Sequence, residues 1–347
     1  MMISHSYSNS TQFGIKNDVE RFIWAGWLIL IFSASILGNT IILVASIQFK
    51  AFKLHGVIVT FIQHIASCDL IISIFLVLSQ SVSLFANMDE WFLGTATCYF
   101  RAYMSPFCNS VSLFLVCGMT VSKLLLLKHP LKARTWSRKH AHMCIACLWT
   151  LSLYSPIMAF SVDINDVYYD SRIYTCFIGF SSTAWKFLLP ISVVLLTIIP
   201  TIVTIVTSAL LIKHLIYARK VAKRTHGFVP WQGIVTVVLS ATVYCVSFLP
   251  ASAYLAARPY LESETGDENV QYFFRVGDTF KYFNVAANFF IYCLAVISFR
   301  DFLKKRIQAL IRNVTCTTSA SYIGTRDLAS ETIIRNPGAC DILQTDV

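Results

Sequence analysis

The sequence predicts an all-α membrane protein: seven membrane-crossing helices in a bundle, followed by a short amphipathic eighth helix. Three observations carry that expectation. Of 347 residues, 56% are hydrophobic and only 13% charged, with a mean hydropathy of +0.63, more apolar surface than a soluble domain of this size can bury. The apolar residues fall into runs long enough to meet the ~20 residues that a bilayer core demands. The charges collect in the short connections, which alternate basic, acidic, basic, acidic, basic, acidic, basic along the chain.

Residues 1–21 are polar and carry one sequon, Asn9-Ser10-Thr11, which makes Asn9 a glycosylation candidate. No basic n-region or apolar h-region precedes Phe22, so the first helix is expected to double as the insertion signal. That helix is expected over residues 22–48, with Gly38-Asn39 inside it, before a basic turn at Lys50, Lys53 and His55. A second follows over 56–85 with Asp69 in its middle, then an acidic turn at Asp89-Glu90. The third begins near Cys98 and ends in the basic connection of Lys128, Lys132, Arg134, Arg138 and Lys139. The fourth runs to about residue 160 and contains Trp149 and Pro156. An acidic, aromatic loop (Asp163, Asp166, Tyr168, Tyr169, Asp170) leads through Cys176 to the fifth helix, 184–217, with Pro190 and Pro200. Arg219, Lys220, Lys223 and Arg224 separate it from the sixth, 230–257, which holds Pro250. Glu262, Glu264, Asp267 and Glu268 precede the seventh, ending near 297. Residues 298–310 place apolar side chains at helical spacing among basic ones, the pattern of a helix lying on the inner membrane face. The polar remainder, 311–347, is expected to be disordered.

Because basic connections stay on the cytoplasmic side, this alternation puts the N-terminus of a multi-pass protein outside. A soluble helical protein would not alternate its loop charges this way. The net charge of +10 (28 basic, 18 acidic residues) sits in those short loops and gives no reason to invoke nucleic acid. Eleven cysteines show no metal-ligand spacing. A transporter would show matching halves with broken helix pairs, and none is visible. Nor does a HExxH or a paired His-Asp cluster lie at membrane depth, so the chain is read as not an enzyme.

The most specific stretch is residues 98–131. It opens on Cys98 after Asp89-Glu90-Trp91, stays nearly free of charge from Tyr103 to Val121, and closes on Lys123 and Lys128-His129-Pro130-Leu131. It resembles the third helix and second cytoplasmic loop of rhodopsin-like (class A) G protein-coupled receptors, in which an Asp-Arg-Tyr triplet precedes that basic run. Here the triplet reads Ser122-Lys123-Leu124. Further landmarks stand in the family's order: Gly38-Asn39, Asp69 in Ala66-Ser67-Cys68-Asp69-Leu70, Trp149, Cys176, Pro200, Pro250, and Asn288-Phe289-Phe290-Ile291-Tyr292 where the family has Asn-Pro-x-x-Tyr. The resemblance covers residues 22–310. Asn288 to Leu294, followed by Phe299-Arg300, looks like invertebrate peptide-receptor tails.

The resemblance implies a receptor located in the plasma membrane that binds an extracellular ligand, a peptide by preference, and activates heterotrimeric G proteins. It implies a disulfide between Cys98 and Cys176; two unrelated cysteines are the alternative. Asp69 with Asn39, Ser112, Asn284 and Asn288 falls where the family holds a sodium ion, and a hydrogen-bond network without ion explains the same residues. Asn288 replaces an aspartate that the family often has, which weakens attraction for Na⁺. Tyr244, Pro250 and Tyr292 fall in the family's activation elements, Pro250 as a helix hinge, with Phe248 at the pocket floor. Ser122 offers no charge to latch Lys123, so raised basal activity is expected. Lys123 snorkelling to the lipid interface is the plainer reading, and a decoy or heteromer partner with weakened coupling is the rival function.

Ligand contacts are expected at Ser105, Phe248, Asp278, Lys281 and Tyr282. Ser105 stands where monoamine receptors carry aspartate, which disfavours an amine. Asp278 and Lys281, at i,i+3 spacing, are able to pair on one helix face. Tyr282 occupies the place of the opsins' Schiff-base lysine and Lys281 is one residue, about 100°, away, so retinal is the weaker alternative. The acidic outer loops would draw a basic ligand. In the tail, Cys316 is a palmitoylation candidate, the Ser/Thr residues around it could recruit arrestin once phosphorylated, and Thr345 and Val347 match a PDZ ligand.

Overall fold

In a computed structural model of the full chain, the described residues are 18–48, 56–129, 131, 135–162, 167–171, 173–178, 185–225, 231–261 and 276–326. Asn9, Thr345 and Val347 lie outside them, as does the side chain of Cys316. The chain divides into two units, residues 1–299 and 300–347.

The first unit is a seven-helix bundle. Helix α1 spans Asp18–Gln48. Helix α2 comprises Gly56–Ile72, a wide turn at Ser73–Val77 and Leu78–Phe85. Helix α3 is Thr95–Lys128, and α4 has two segments, Arg138–Ser152 and Tyr154–Val162. A two-stranded antiparallel hairpin, β1 Val167–Asp170 with β2 Thr175–Ile178, follows. Helix α5 runs through Trp185–Val193, a wide turn at Val194–Ile198 and Ile199–Thr225. Helix α6 is Gln232–Leu261 and α7 is Val276–Ala295. Six of these helices are each long and apolar enough to cross a bilayer, and α7 joins them when taken with the helix that follows it.

The polarity of the bundle is that of a membrane protein. Along α1, Leu28, Ile31, Ser35, Asn39 and Ile42 are buried, while Ile23, Leu30 and Leu37 are exposed on the opposite face. Ser35 and Asn39 thus go inward while large aliphatic side chains cover the outer face, which is stable only where the surroundings are hydrocarbon. Helix α3 lies innermost: it packs against α2, α4, α5, α6 and both hairpin strands, while α7 closes the ring against α1 and α6.

Element boundaries differ from expectation at α1, α5, α6, α7 and α8. Helix α5 continues to Thr225, so Arg219, Lys220, Lys223 and Arg224 lie on its last turns rather than in a loop, and α6 reaches Leu261. Helix α1 starts at Asp18 rather than Phe22. Its polar first turn is held by the Arg21–Asp18 ion pair at 2.8 Å, by Trp24 Nε1 donating to Glu20, and by Arg21 donating to the Phe85 carbonyl. Helix α7 stops at Ala295, where Val296 turns extended (φ −113°, ψ 100°). The next helix, α8, runs from Ile297 to Arg326, well beyond residue 310, because neither proline nor glycine interrupts it before Gly324. Within its own unit, α8 exposes Ile307, Leu310 and Ile311.

The prolines are absorbed rather than avoided. Pro190 and Pro200 flank the wide turn of α5, which takes up the missing amide and the ring's bulk. Helix α6 stays continuous across Pro250, with the Ser247 and Ser252 hydroxyls donating to the Val243 and Phe248 carbonyls on either side. Gly277 lets α7 approach here: a Cβ on it would meet the Ala251 nitrogen at 3.4 Å.

Helices α1 and α7 approach closely at Gly38, where a Cβ would lie 2.6 Å from the Phe289 Cβ. Gly38→Leu therefore forces the two helices apart and is expected to destabilise by about 1–3 kcal/mol, the usual range for overpacking. Gly26→Leu, where a Cβ meets nothing within 4 Å, leaves stability nearly unchanged. Thermal unfolding of the two detergent-solubilised variants checks the difference.

Candidate functional site

At the end of the bundle that carries the hairpin, a cleft of about 1210 Å³, counting its open mouth, reaches down between α3, α4, α5, α6 and α7. The hairpin roofs it. A disulfide joins Cys98 at the start of α3 to Cys176 in β2. Ala102, Ile178 and Val193 form a small apolar core around that bond, with Trp91 and Tyr169 against it. The β-turn carries Tyr174 at φ 54°, a strained value for a bulky residue, held by its hydroxyl donating to Asn87 Oδ1 at 2.6 Å. Tyr169 donates to the Met88 carbonyl at 3.0 Å, and burial pushes its phenol well above the ordinary tyrosine range.

Ser105, Phe248, Asp278, Lys281 and Tyr282 all line the cleft. Asp278 and Lys281 form an ion pair on α7, and the Lys281 ammonium also lies 4.9 Å from the Tyr282 ring centroid. Tyr244 is not in the cleft wall. Its ring stacks under Phe248 at 5.3 Å and its hydroxyl donates to the Asn109 carbonyl at 3.1 Å, tying α6 to α3.

Sequence reasoning missed Arg101. One turn into α3 from Cys98 and only 2% exposed, its guanidinium donates to five acceptors: Thr175 Oγ1 (2.5 Å), the Phe75 and Leu76 carbonyls (3.2 and 2.6 Å), Ser79 Oγ (2.6 Å) and Gln80 Oε1 (3.1 Å). The two carbonyls belong to the wide turn of α2, whose ladder is shifted by one residue, Leu78 N–H reaching back to the Ser73 carbonyl. Gln80 carries the chain onward, donating to the Ile173 carbonyl at 3.0 Å and to Asp278 Oδ2 at 3.4 Å. One network thus runs from the hairpin through α3 and α2 to the Asp278–Lys281 pair. The available signal was a lone arginine at i+3 from Cys98 in an otherwise apolar helix, a position at which a charge demands partners.

Deeper in the bundle, Asn288 Nδ2 donates to Asp69 Oδ2 at 2.7 Å. Asn39 Nδ2 donates to Ser35 Oγ and to the Val285 carbonyl, each at 2.9 Å, and the Ser73 hydroxyl lies 2.7 Å from both Ser35 Oγ and the Asp69 carbonyl. Asp69 Oδ1 and Asn39 Oδ1, both buried, have no hydrogen-bond partner among the described residues. Asn284 is buried nearby on α7. The structure turns the Ser112 hydroxyl to Cys68 Sγ, at 3.6 Å, rather than to Asp69.

At the far end of α3, Ser122 and Leu124 are buried and Lys123 is half-buried. No described carboxylate lies within ion-pair distance of Lys123. Residues 91–162 and 171–261, which contain the whole of α3, α4, α5 and α6, hold no aspartate or glutamate at all. Tyr292 is 1% exposed, its ring 6.3 Å from Phe299.

Replacing Arg101 by Met keeps the stem's bulk and removes five hydrogen bonds. Amide exchange at residues 173–176 is expected to rise at least tenfold, with a matching loss of thermal stability. Exchange measured on the purified variant against wild type tests this, and an unchanged hairpin would show that the disulfide alone holds it.

Comparison with known proteins fits this geometry. Over 208 residues the chain is 29% identical to a cholecystokinin receptor of Xenopus laevis, covering 57% of this chain and 44% of that receptor. It is 27% identical over 154 residues to a QRFP-like peptide receptor of Branchiostoma floridae (43% and 39% covered). The human galanin receptor type 1 matches at 27% over 142 residues (41% and 40%). The matches thus span less than half the length of these relatives. The sequence model of the 7 transmembrane receptor (rhodopsin family) group matches residues 38–292, and the chain belongs to that family.

Proposed function

We propose that the chain is a plasma-membrane receptor, N-terminus outside, that binds an extracellular peptide in the cleft under the hairpin and activates a heterotrimeric G protein at the opposite end. The cleft carries this reading: it is open and walled by α3, α4, α5, α6 and α7, so an occupant touches the helices that must move. Relatives named as receptors for cholecystokinin, a QRFP-like peptide and galanin support the ligand class. The basic loops give the far end the sign expected of the cytoplasmic side. Palmitoylation at Cys316, arrestin recruitment by the tail and capture of Thr345 and Val347 by a PDZ protein belong to the same reading, as does glycosylation at Asn9.

Lys123 sets the coupling behaviour. A receptor of this family rests when a carboxylate beside the cation on α3 holds it. Here Ser122 is neutral and four whole helices are free of carboxylates, so the resting state is loosely held and basal activity raised. Tyr244, tied to α3, and Pro250 in α6 form the moving side; Tyr292 in α7 faces it. The replacement of the α7 proline by Phe289 favours a second reading, a decoy with weakened coupling. Ligand-independent G protein dissociation, measured in cells at matched surface expression, separates the two. Wild type is expected to signal, Lys123→Ala to lose most of that signal, and Ser122→Asp/Lys123→Arg to damp it several-fold. A silent wild type that signals only after the double restoration would establish the decoy.

Sodium fits the Asp69 group in one respect: a buried carboxylate oxygen and a buried amide oxygen both lack a donor. When bound, the ion would supply the positive charge that Asp69 lacks; Asp69 and Asn39 would hold it, with Asn288 steadying the carboxylate. Replacing choline by Na⁺ at constant ionic strength is expected to raise Tm in wild type and not in Asp69→Asn, the stabilisation being about 0.4 kcal/mol when Na⁺ equals its Kd. Equal responses in the two proteins would mean a hydrogen-bond network without ion.

A further inference from the structure

Resting on the receptor reading, we infer that the cleft recognises its peptide through a carboxylate of the ligand, bound at Lys281. The charges on the page are unequal. The Arg101–Gln80–Asp278–Lys281 network holds two cations and one anion, Arg101 and Asp278 buried and Lys281 at the edge of burial, its side chain 10% exposed. Among the described residues Asp278 is the sole carboxylate in the cleft wall, since α3, α4, α5 and α6 contribute none.

The ion pair itself is lopsided. Asp278 has both oxygens in use, Oδ1 with Lys281 and Oδ2 with Gln80. The Lys281 ammonium has three donors and one described acceptor. An incoming cation would therefore have to displace Lys281 and leave it buried without a partner, which is strongly unfavourable. An incoming carboxylate takes the spare donors, leaves the existing pair intact and brings the network to neutrality. Arg101, whose five acceptors are all uncharged, supplies the second positive charge from behind. Its partner Thr175 reaches the cleft wall, where Ser105, Asn109 and Ser252 offer neutral donors to the remaining carboxylate oxygen. This reverses the expectation drawn from the acidic outer loops: the sign of the selectivity is set within the cleft.

The test uses the full chain in lipid nanodiscs and reads binding without any G protein, so a failure of coupling and a failure of this inference are separate results. The probes are N-acetylated, C-amidated tetrapeptides alternating phenylalanine with glutamate, glutamine or lysine, at matched ionic strength. The glutamate peptide is expected to raise Tm at millimolar concentration and the other two much less. Lys281→Gln should weaken its binding at least tenfold and Lys281→Arg should restore it. Asp278→Asn, which leaves Lys281 uncommitted, should strengthen it several-fold. Equal binding by Lys281→Gln would overturn the inference. So would a larger shift from the lysine peptide, or no shift with the glutamate peptide in wild type and Asp278→Asn alike.

Discussion

Arg101 places a permanent cation in a buried setting where its described acceptors are all uncharged, and the architecture of the hairpin end follows from satisfying it. A guanidinium has five N–H donors in a rigid fork, and in a regular helix each carbonyl already accepts one bond from four residues on. The wide turn in α2 shifts that ladder locally, and the carbonyls of Phe75 and Leu76 accept from Arg101. The irregularity in α2 and the charge in α3 thus explain each other. The Nε bond to Thr175 adds a second attachment of the hairpin to α3, beside the Cys98–Cys176 disulfide. Two attachments fix the strand's orientation where one would leave a pivot, so the roof of the cleft is held at a set height above its floor.

Scarcity of carboxylates links the two ends of the bundle. With none on α3, α4, α5 or α6, every cation those helices carry must be served by neutral groups, by solvent or lipid, or by something that binds. Arg101 is served by carbonyls and hydroxyls. Lys123, half-buried at the other end, has no such shell. In a low-dielectric setting an unpaired charge biases any equilibrium that gives it a partner or water. The same compositional fact therefore makes the cleft selective for sign and makes the far end easy to open.

Much of this was legible in the sequence, for identifiable reasons. The helices were, because hydrocarbon forces long apolar runs and the inner leaflet sorts the basic loops. The Asp278–Lys281 pair was, because i,i+3 spacing on a helix puts two side chains together whatever surrounds them. Arg101, Gln80 and Thr175 were not, since their meeting depends on a shifted hydrogen-bond ladder in α2 that leaves no local signature. Ser112 shows the same limit: its place on α3 was evident, but whether its hydroxyl turned to Asp69 or to Cys68 depended on packing. The early start of α1 and the late end of α8 were missed because polar residues sustain a helix as long as no proline or glycine intervenes.

Helix α7 shows how one substitution redistributes flexibility. A proline at position 289 would leave the Val285 carbonyl without its helical donor. Phe289 restores that amide, and the same carbonyl also accepts Asn39 Nδ2 at 2.9 Å. The Phe289 side chain fills the space opposite Gly38, and its ring lies 6.1 Å from Phe299. The middle and far parts of α7 are therefore braced against α1. The weaker turn is at Tyr282, where bonds run to the third residue, Tyr282 N–H to Thr279 and Val285 N–H to Tyr282, at 3.2 and 3.1 Å. Three-residue turns are tighter and poorer in geometry, and this one sits beside Lys281 in the cleft wall. An occupant that pulls on Lys281 thus acts on the least regular turn of α7, while the braced segment beyond it carries the displacement as a unit toward Tyr292.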